Sequence, residues 1–167
     1  MTQKITPYLW FDNQAEEAAT LYIDVFKGRP GTPSGESKVV EVTRYGEAGP
    51  GEPGTAMVVT FELEGLGLIA LNGGPHHRFT EAFSFFVSCD SQEEIDHFWN
   101  ALTADGGEES QCGWLKDRFG FSWQIIPGRL MELLSDPDPG RSQRAMGAML
   151  QMKKLDIAEL ERAADAA

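Results

Sequence analysis

The sequence contains few of the residues and patterns that define several large classes of protein. Its 167 residues include only two cysteines, Cys89 and Cys112, which share no CxxC spacing and provide no disulfide framework. Basic residues are also scarce: 14 lysines and arginines stand against 26 aspartates and glutamates, a formal net charge of −12. A chain this acidic repels phosphate groups, so we expect neither nucleic acid nor an anionic membrane surface as a partner.

Long hydrophobic stretches are absent as well. No apolar run approaches the roughly 20 residues of a membrane span, and residues 1–5 lack the apolar core of a signal peptide. We therefore expect a cytoplasmic protein. The composition, 41% hydrophobic and 24% charged, is that of a globular chain of one domain or two small fused modules.

The most informative positive feature is an internal repeat. Residues 12–22 align with residues 90–99 once one alanine is dropped, and each copy follows a short apolar run. Each copy is typical of a strand followed by an amphipathic helix with a capping Asp or Ser and glutamates in its first turn. The alternative is a chance similarity between two amphipathic helices. Strand-like segments then follow at residues 38–45, 56–64, 66–71, 110–116 and 119–126, with a short hairpin segment between the last two.

The repeat predicts an α+β fold built from two βαβββ modules. We assign residues 1–75 to the first module, 76–127 to the second and 128–167 to a C-terminal helical extension, all within one compact domain. In the extension, the Asp-Pro-Asp-Pro segment at residues 136–139 is expected to interrupt the helical pattern, because proline cannot continue a helix. Further helices are predicted over residues 142–152 and from Asp156 onward.

Six segments carry a family resemblance: residues 6–12 (TPYLWFD), 71–75 (LNGGP), 79–85 (FTEAFSF), 112–117 (CGWLKD), 120–127 (GFSWQIIP) and 145–155 (AMGAMLQMKKL). Together they resemble the vicinal oxygen chelate superfamily, which includes glyoxalase I, bleomycin-resistance proteins and extradiol dioxygenases. The resemblance is greater to its PhnB-like branch, whose members are often designated 3-demethylubiquinone-9 3-methyltransferases. Methyl transfer is disfavoured here, because the sequence has no Gly-rich strand-to-helix turn with a following acidic residue to hold an adenosyl cofactor.

The resemblance implies that the two modules form a curved mixed sheet around a cup. It also implies four metal-ligand positions, which in this chain are Thr6, Leu71, Ser84 and Gln124. Transition metals prefer imidazole, thiolate or carboxylate ligands, and hydroxyl, alkyl and amide groups supply none of these. We therefore predict no tightly bound metal at this position and no cofactor. The adjacent Asn72 offers only an amide oxygen after a shift in register.

Side chains alternate between the two faces of a strand, so the residues that line the predicted cup can be assigned. To the residues that alternation places in the cup we add Asn72, which is next to Leu71, and Trp114, which is near the mouth of the cup. The nine residues to which we assign ligand binding are Thr6, Tyr8, Trp10, Leu71, Asn72, Ser84, Phe86, Trp114 and Gln124. This mixture of aromatic and small polar groups favours a small, partly apolar or aromatic molecule oriented by few polar contacts. The alternative is a cup filled by its own side chains or by the C-terminal helices.

The sequence thus predicts a metal-free protein that binds a small molecule, and it leaves open whether a reaction follows. The alternative is an enzyme of the lyase, isomerase or oxygenase class with an atypical site, for which Cys112 is the candidate catalytic residue. Glu81 is a further acid–base candidate, and His76 and His77 are candidate lid residues that contact the ligand. The resemblance also implies a homodimer.

Overall fold

The structure is a computed structural model that describes residues 3–166 of the chain. Its elements follow the order strand, helix and three strands twice over, so the predicted α+β class and the two βαβββ modules are confirmed. The chain divides into two compact units, one ending at Phe79 and the other beginning at Thr80. None of the described helices is both long enough and apolar enough to cross a membrane.

The first unit is a four-stranded mixed sheet with one helix on it. Its elements are β1 (Tyr8–Phe11), α1 (Ala15–Lys27), β2 (Lys38–Arg44), β3 (Ala56–Leu63) and β4 (Leu66–Asn72). The strands lie in the order β1-β4-β3-β2, with β1 parallel to β4 and the other pairs antiparallel. Small residues such as Ala18 let α1 approach the sheet closely, and Tyr22 and Phe61 are completely buried in the core between them.

The two module helices begin differently. In α2, Ser91 caps the helix as predicted, its side chain accepting a hydrogen bond from the Glu94 N–H at 3.2 Å. The corresponding expectation for α1 is wrong, because neither an Asp nor a Ser caps it and Gln14 holds the N-cap position without a side-chain bond. The amide oxygen of Asn72, at the end of β4, accepts from the Ala15 N–H at 2.8 Å instead.

The outer strand β2 contains an irregularity. Its pairing with β3 shifts between Val39 and Glu41, so that Val40 is an extra residue with no partner of its own in the register. Val39 and Val40 are both exposed, and charged residues stand on either side of them. This is a β-bulge, which bends a strand and increases its local twist.

A partly buried ion pair connects the segment after α1 to the turn between β3 and β4. The Arg29 guanidinium contacts the Glu64 carboxylate at 3.1 Å, and the Ser34 N–H and O–H also donate to that carboxylate. Burial raises the pKa of Glu64, but the hydrogen bonds from Arg29 and Ser34 outweigh it and hold the pKa below the usual value of 4.5.

Glu64→Gln is expected to lower the free energy of unfolding by about 1 kcal/mol at pH 7, since it removes this charge-assisted pair. Because the folded pKa is depressed, the stabilisation is fully present above the ordinary glutamate pKa and is lost as the pH falls through the folded value. In urea titrations of both proteins between pH 3 and pH 7, the difference in stability should therefore begin to shrink below about pH 4.5 and disappear once the pH is below the folded pKa. Glu47→Gln, in the exposed 46–54 loop, is the control; a gap for Glu64→Gln that stays constant with pH would contradict the ion pair.

The second unit repeats the module and adds three helices. It comprises β5 (Ser84–Cys89), α2 (Gln92–Thr103), β6 (Glu108–Glu109), β7 (Trp114–Lys116), β8 (Ser122–Pro127), α3 (Gly128–Leu134), α4 (Pro139–Met149) and α5 (Ile157–Asp165). Its strands lie in the order β5-β8-β7-β6, which matches the first sheet strand for strand. Helices α3 to α5 enclose a core of Ile126, Leu130, Leu133, Ala145, Leu155, Leu160 and Ala164.

Helix α4 begins at Pro139, three residues before the start predicted from the sequence. Proline is tolerated in the first turn of a helix, because its missing N–H is one of those that have no partner there. The Asp138 side chain caps the turn by accepting from the Gly140 N–H at 2.8 Å. The Asp-Pro pair therefore starts this helix as well as ending the segment before it.

The turn between β7 and β8 is organised by a buried carboxylate. Asp117 is only 2% exposed. It accepts hydrogen bonds from the N–H of Phe119 at 2.9 Å, the N–H of Phe121 at 3.0 Å and the indole N–H of Trp123 at 2.8 Å. One side chain thus supplies acceptors for a turn and for a core tryptophan.

Candidate functional site

Each sheet has one face buried under its helix and one face that is open. In β1, Leu9 and Phe11 are buried at 3% exposure, whereas Tyr8 is 55% exposed and Trp10 is half-buried. In β5, Phe86 and Ser88 are exposed, whereas Cys89 is buried. Buried and exposed side chains therefore alternate along these strands, as assumed when the candidate ligand-binding residues were assigned.

The strand register arranges the open face of each sheet in rows that cross neighbouring strands. Partners in a ladder share a face, so these rows can be read from the pairing. In the first sheet the rows are Tyr8–Ile69–Thr60 and Trp10–Leu71–Val58. In the second sheet they are Ser84–Ser122–Lys116 and Phe86–Gln124–Trp114.

The resemblance implies that Leu71 is equivalent to Gln124 and Thr6 to Ser84, and the rows test whether both matches can hold. Leu71 pairs with Trp10, two residues after Tyr8, whereas Gln124 pairs with Phe86, two residues after Ser84. Thr6 lies before β1 and is half-buried. Once Leu71 is matched with Gln124, the register makes Tyr8, rather than Thr6, the counterpart of Ser84.

Neither version of this set suits a metal ion. A phenol or a threonine hydroxyl, a leucine, a serine and a glutamine offer no imidazole, thiolate or carboxylate to a transition metal. The Gln124 amide already donates to the Ser84 Oγ at 2.9 Å. Within residues 3–166, no three His, Cys, Asp or Glu side chains lie together as a potential metal site. The residues at the superfamily position do not fit a metal.

A loop after β4 covers part of the first open face. The Trp10 indole donates to the Gly74 carbonyl at 2.8 Å, and its ring lies edge-on to His77 with the centroids 4.7 Å apart. A Cβ on Gly73 would come within 2.2 Å of the Trp10 ring, so only glycine permits this close approach. The polar end of Trp10 is thus engaged by the chain, and His77 contacts a candidate ligand-binding residue.

Asn72 does not share the open face with its neighbour Leu71. It is 8% exposed and lies on the helix side of β4. Its oxygen caps α1 at Ala15, and its amide nitrogen donates to the Ala56 carbonyl at 2.9 Å. The structure therefore separates Asn72 from the other candidate ligand-binding residues of the first sheet.

The second open face combines a polar row with an aromatic one. The register extends the polar row to Glu108 at the sheet edge, beside Lys116. Lys116 also forms an ion pair with Glu81, which precedes β5. Hydrogen bonding between them raises the pKa of Lys116 and lowers the pKa of Glu81, so both are charged at neutral pH. The acid–base candidate Glu81 is thus held as a carboxylate by a lysine.

Ser122 lies in the middle of this polar row. It is 1% exposed, and its hydroxyl has no hydrogen-bond partner among the described residues. Together with Glu81, Trp114 and Lys116 it lines a cleft of about 350 Å³. Buried hydroxyls are normally bonded, so this group is an exception that calls for an explanation.

Cys112 occupies a turn between β6 and β7. Its φ of 58° is in the left-handed region, and its N–H donates to the Met152 carbonyl at 2.7 Å. The next residue, Gly113, donates to the Lys153 carbonyl at 2.7 Å. These contacts tie Cys112 to the chain between α4 and α5, and its catalytic role stays a prediction.

The first unit contains a second cleft, which sequence patterns do not indicate. It has a volume of about 760 Å³ and lies between the start of α1, the 46–54 hairpin loop and the end of β4. Arg44 crosses it to Glu16 at 3.0 Å, and the Tyr45 hydroxyl donates to the Asn72 carbonyl at 2.5 Å. His76 lies on its wall. Loop conformation creates this cleft, and such conformations leave no periodic signal in a sequence.

Comparison with known proteins relates this geometry to a family. The family model described as 3-demethylubiquinone-9 3-methyltransferase matches residues 3–126. A solved PhnB protein from Bacillus cereus, which provisionally carries the same designation, is 35% identical over 75% of this chain and 100% of its own, with a TM-score of 0.65. No curated protein matches the sequence.

Two more distant structures share the fold alone. Protein PA1353 from Pseudomonas aeruginosa is 22% identical over 75% of this chain and 98% of its own, with a TM-score of 0.57. The fosfomycin resistance protein FosX from Listeria monocytogenes, solved with Mn(II) and sulfate, is 14% identical over 80% of this chain and 96% of its own, with a TM-score of 0.51.

Proposed function

The chain belongs to the 3-demethylubiquinone-9 3-methyltransferase family, the PhnB-like branch of the vicinal oxygen chelate superfamily, and from that premise we propose that it binds a small, partly aromatic molecule on the open faces of its sheets. The observation that carries the proposal is the composition of these faces. Tyr8, Phe86 and Trp114 expose aromatic surface there, and Ser84 and Gln124 supply polar groups beside them. Binding sites for small molecules combine apolar walls with a few such groups.

We further propose that binding needs no catalytic metal at the superfamily position. The ligand set there consists of Tyr8 or Thr6 with Leu71 in one module, and Ser84 with Gln124 in the other. No anionic side chain belongs to the set, so nothing in it would offset the charge of a desolvated divalent ion.

The same proposal includes a cytoplasmic homodimer. Both cysteines are free, in keeping with a reducing compartment. The exposed aromatic side chains of the open faces are of the types enriched at protein interfaces.

Elemental analysis and native mass spectrometry of the protein purified without a histidine tag test these points together. We expect a dimer mass, no stoichiometric transition metal and, where a natural ligand is retained, a small additional mass. One equivalent of metal bound with submicromolar affinity would contradict the metal-free site. A monomer at micromolar concentration would contradict the dimer.

Ligand binding itself is tested by thermal shift with a library of aromatic and quinone-like compounds. We expect stabilising hits that are weakened by Gln124→Ala, because Gln124 lies at the centre of the second open face. Arg162→Ala, at an exposed position of α5, is the control. S-adenosylmethionine belongs in the same screen: tight binding would favour the activity in the family's description over simple ligand binding.

A further inference from the structure

Resting on this proposed function, we propose that the second open face is a site for a small aromatic carboxylate. The carboxylate would replace Glu81 on Lys116 and accept a hydrogen bond from Ser122, while the aromatic ring lies against Trp114. Three observations support this site: the buried hydroxyl of Ser122, the donor groups beside it, and the spacing of the two rows.

The Ser122 hydroxyl is the first observation. A buried polar group without a partner destabilises the folded protein, and Ser122 is 1% exposed without a partner among the described residues. Ser122 is one of the residues that line the cleft, together with Trp114 and Lys116. A ligand atom in that cleft would give the hydroxyl the bond that the protein does not provide.

The groups beside Ser122 determine what kind of atom fits. Lys116 and Ser84 are its direct neighbours on the open face. The Lys116 ammonium is a donor only, and the Ser84 oxygen already accepts from Gln124, so its own O–H is left to donate. Three residues with donor groups therefore lie along one row, while Glu108 continues the row at the sheet edge and Glu109 also lines the cleft. A ligand oxygen that accepts several hydrogen bonds, as a carboxylate does, matches this row better than an amine.

Glu81 acts as an internal substitute for such a ligand. Its carboxylate is paired with Lys116, but its side chain is 61% exposed, against 33% for Lys116. Exposed ion pairs contribute little stability, so a second carboxylate can displace this one at small cost. Glu81 also precedes β5 rather than lying within it, so its departure breaks no strand pairing.

The aromatic row gives the rest of the ligand its place. Trp114 and Gln124 lie two residues along their strands from Lys116 and Ser122. Two residues of a strand span roughly 7 Å, which matches the distance between a carboxylate and the far ring of a fused bicyclic acid. The cleft of about 350 Å³ is at the small end of the volumes used for ligand binding.

The test uses 2-naphthoate and its cationic counterpart 2-naphthylmethylamine, titrated against the full chain and followed by the indole ¹⁵N–¹H signal of Trp114. We expect the acid to bind and shift this signal, and the amine to bind at least tenfold more weakly. Lys116→Met should weaken naphthoate binding at least tenfold, and Ser122→Ala severalfold. Glu81→Gln should tighten it two- to fivefold, because the internal competitor loses its charge.

Arg162→Met is the matched control, since it removes one positive charge from the same unit at an exposed position whose partner, Glu159, lies on its own helix. Because Glu81 is exposed, Glu81→Gln should fold normally. It therefore tests the site independently if Lys116→Met does not fold. Equal binding of naphthoate by the wild type and by Lys116→Met, or tighter binding of the amine, would overturn the carboxylate site. If neutral library compounds still shift Trp114, the proposed function survives that failure; if no aromatic compound of any charge binds, both proposals fail.

Discussion

Asp117→Ala should lower the free energy of unfolding of the second unit by about 4 kcal/mol, the largest effect we expect from any single substitution. The change leaves three donors without acceptors, two backbone N–H groups and the Trp123 indole. Each buried donor left unpaired costs roughly 1–3 kcal/mol. Urea denaturation followed by tryptophan fluorescence measures the loss, with the exposed Asp24→Ala as the control.

A graded series makes the mechanism testable even where Asp117→Ala does not fold. Asp117→Asn keeps one carbonyl oxygen for the Phe119 and Phe121 N–H groups but turns an NH₂ toward the Trp123 indole N–H. Trp123→Phe removes that N–H, so it should cost less in the Asp117→Asn background than in the wild type. Additive costs in this double-mutant cycle would refute the coupling between the carboxylate and the indole.

Asn72→Ala should destabilise the first unit by about 2–3 kcal/mol, since it leaves the Ala15 N–H and the Ala56 carbonyl unpaired in a buried position. Because the lost bond caps α1, hydrogen exchange should quicken most at the first turn of that helix. The measurements are urea denaturation and exchange detected by mass spectrometry.

Asn100→Ala, at an exposed position of α2, provides the matched control and should change stability by less than about 0.5 kcal/mol.

The ligand screen gives a second test of Asn72. Asn72 lies on the helix side of its strand, so hits should keep their affinity in Asn72→Ala where the protein is folded. If Asn72→Ala is stable but binds the hits more weakly, Asn72 is a ligand-binding residue after all.

Periodicity predicted the architecture well. The repeat around Asp12 and Asp90 gave both module helices, and strand alternation correctly separated Leu9 and Phe11 from Tyr8 and Trp10. These features depend on local patterns of apolar side chains, which a single sequence records directly.

Contacts between distant segments of the chain could not be predicted from the sequence patterns. The position of Asn72 beside Leu71 suggests a ligand-binding residue. Its side chain instead forms hydrogen bonds with Ala15, 57 residues away, and with Ala56. The contact between Glu81 and Lys116 is of the same kind, as is the isolation of the Ser122 hydroxyl between two neighbouring strands. Register and loop conformation decide such contacts, and neither is encoded in spacing along the chain.

The bulge at Val40 has a consequence for how the protein behaves when it is concentrated. An outer strand with an unbroken row of N–H and C=O groups is a template on which another molecule can extend the sheet and start an aggregate. In β2 the extra residue interrupts that row, and the charged Lys38 and Glu41 flank the interruption. The strand can therefore expose Val39 and Val40 to water without offering neighbouring molecules a surface on which to polymerise.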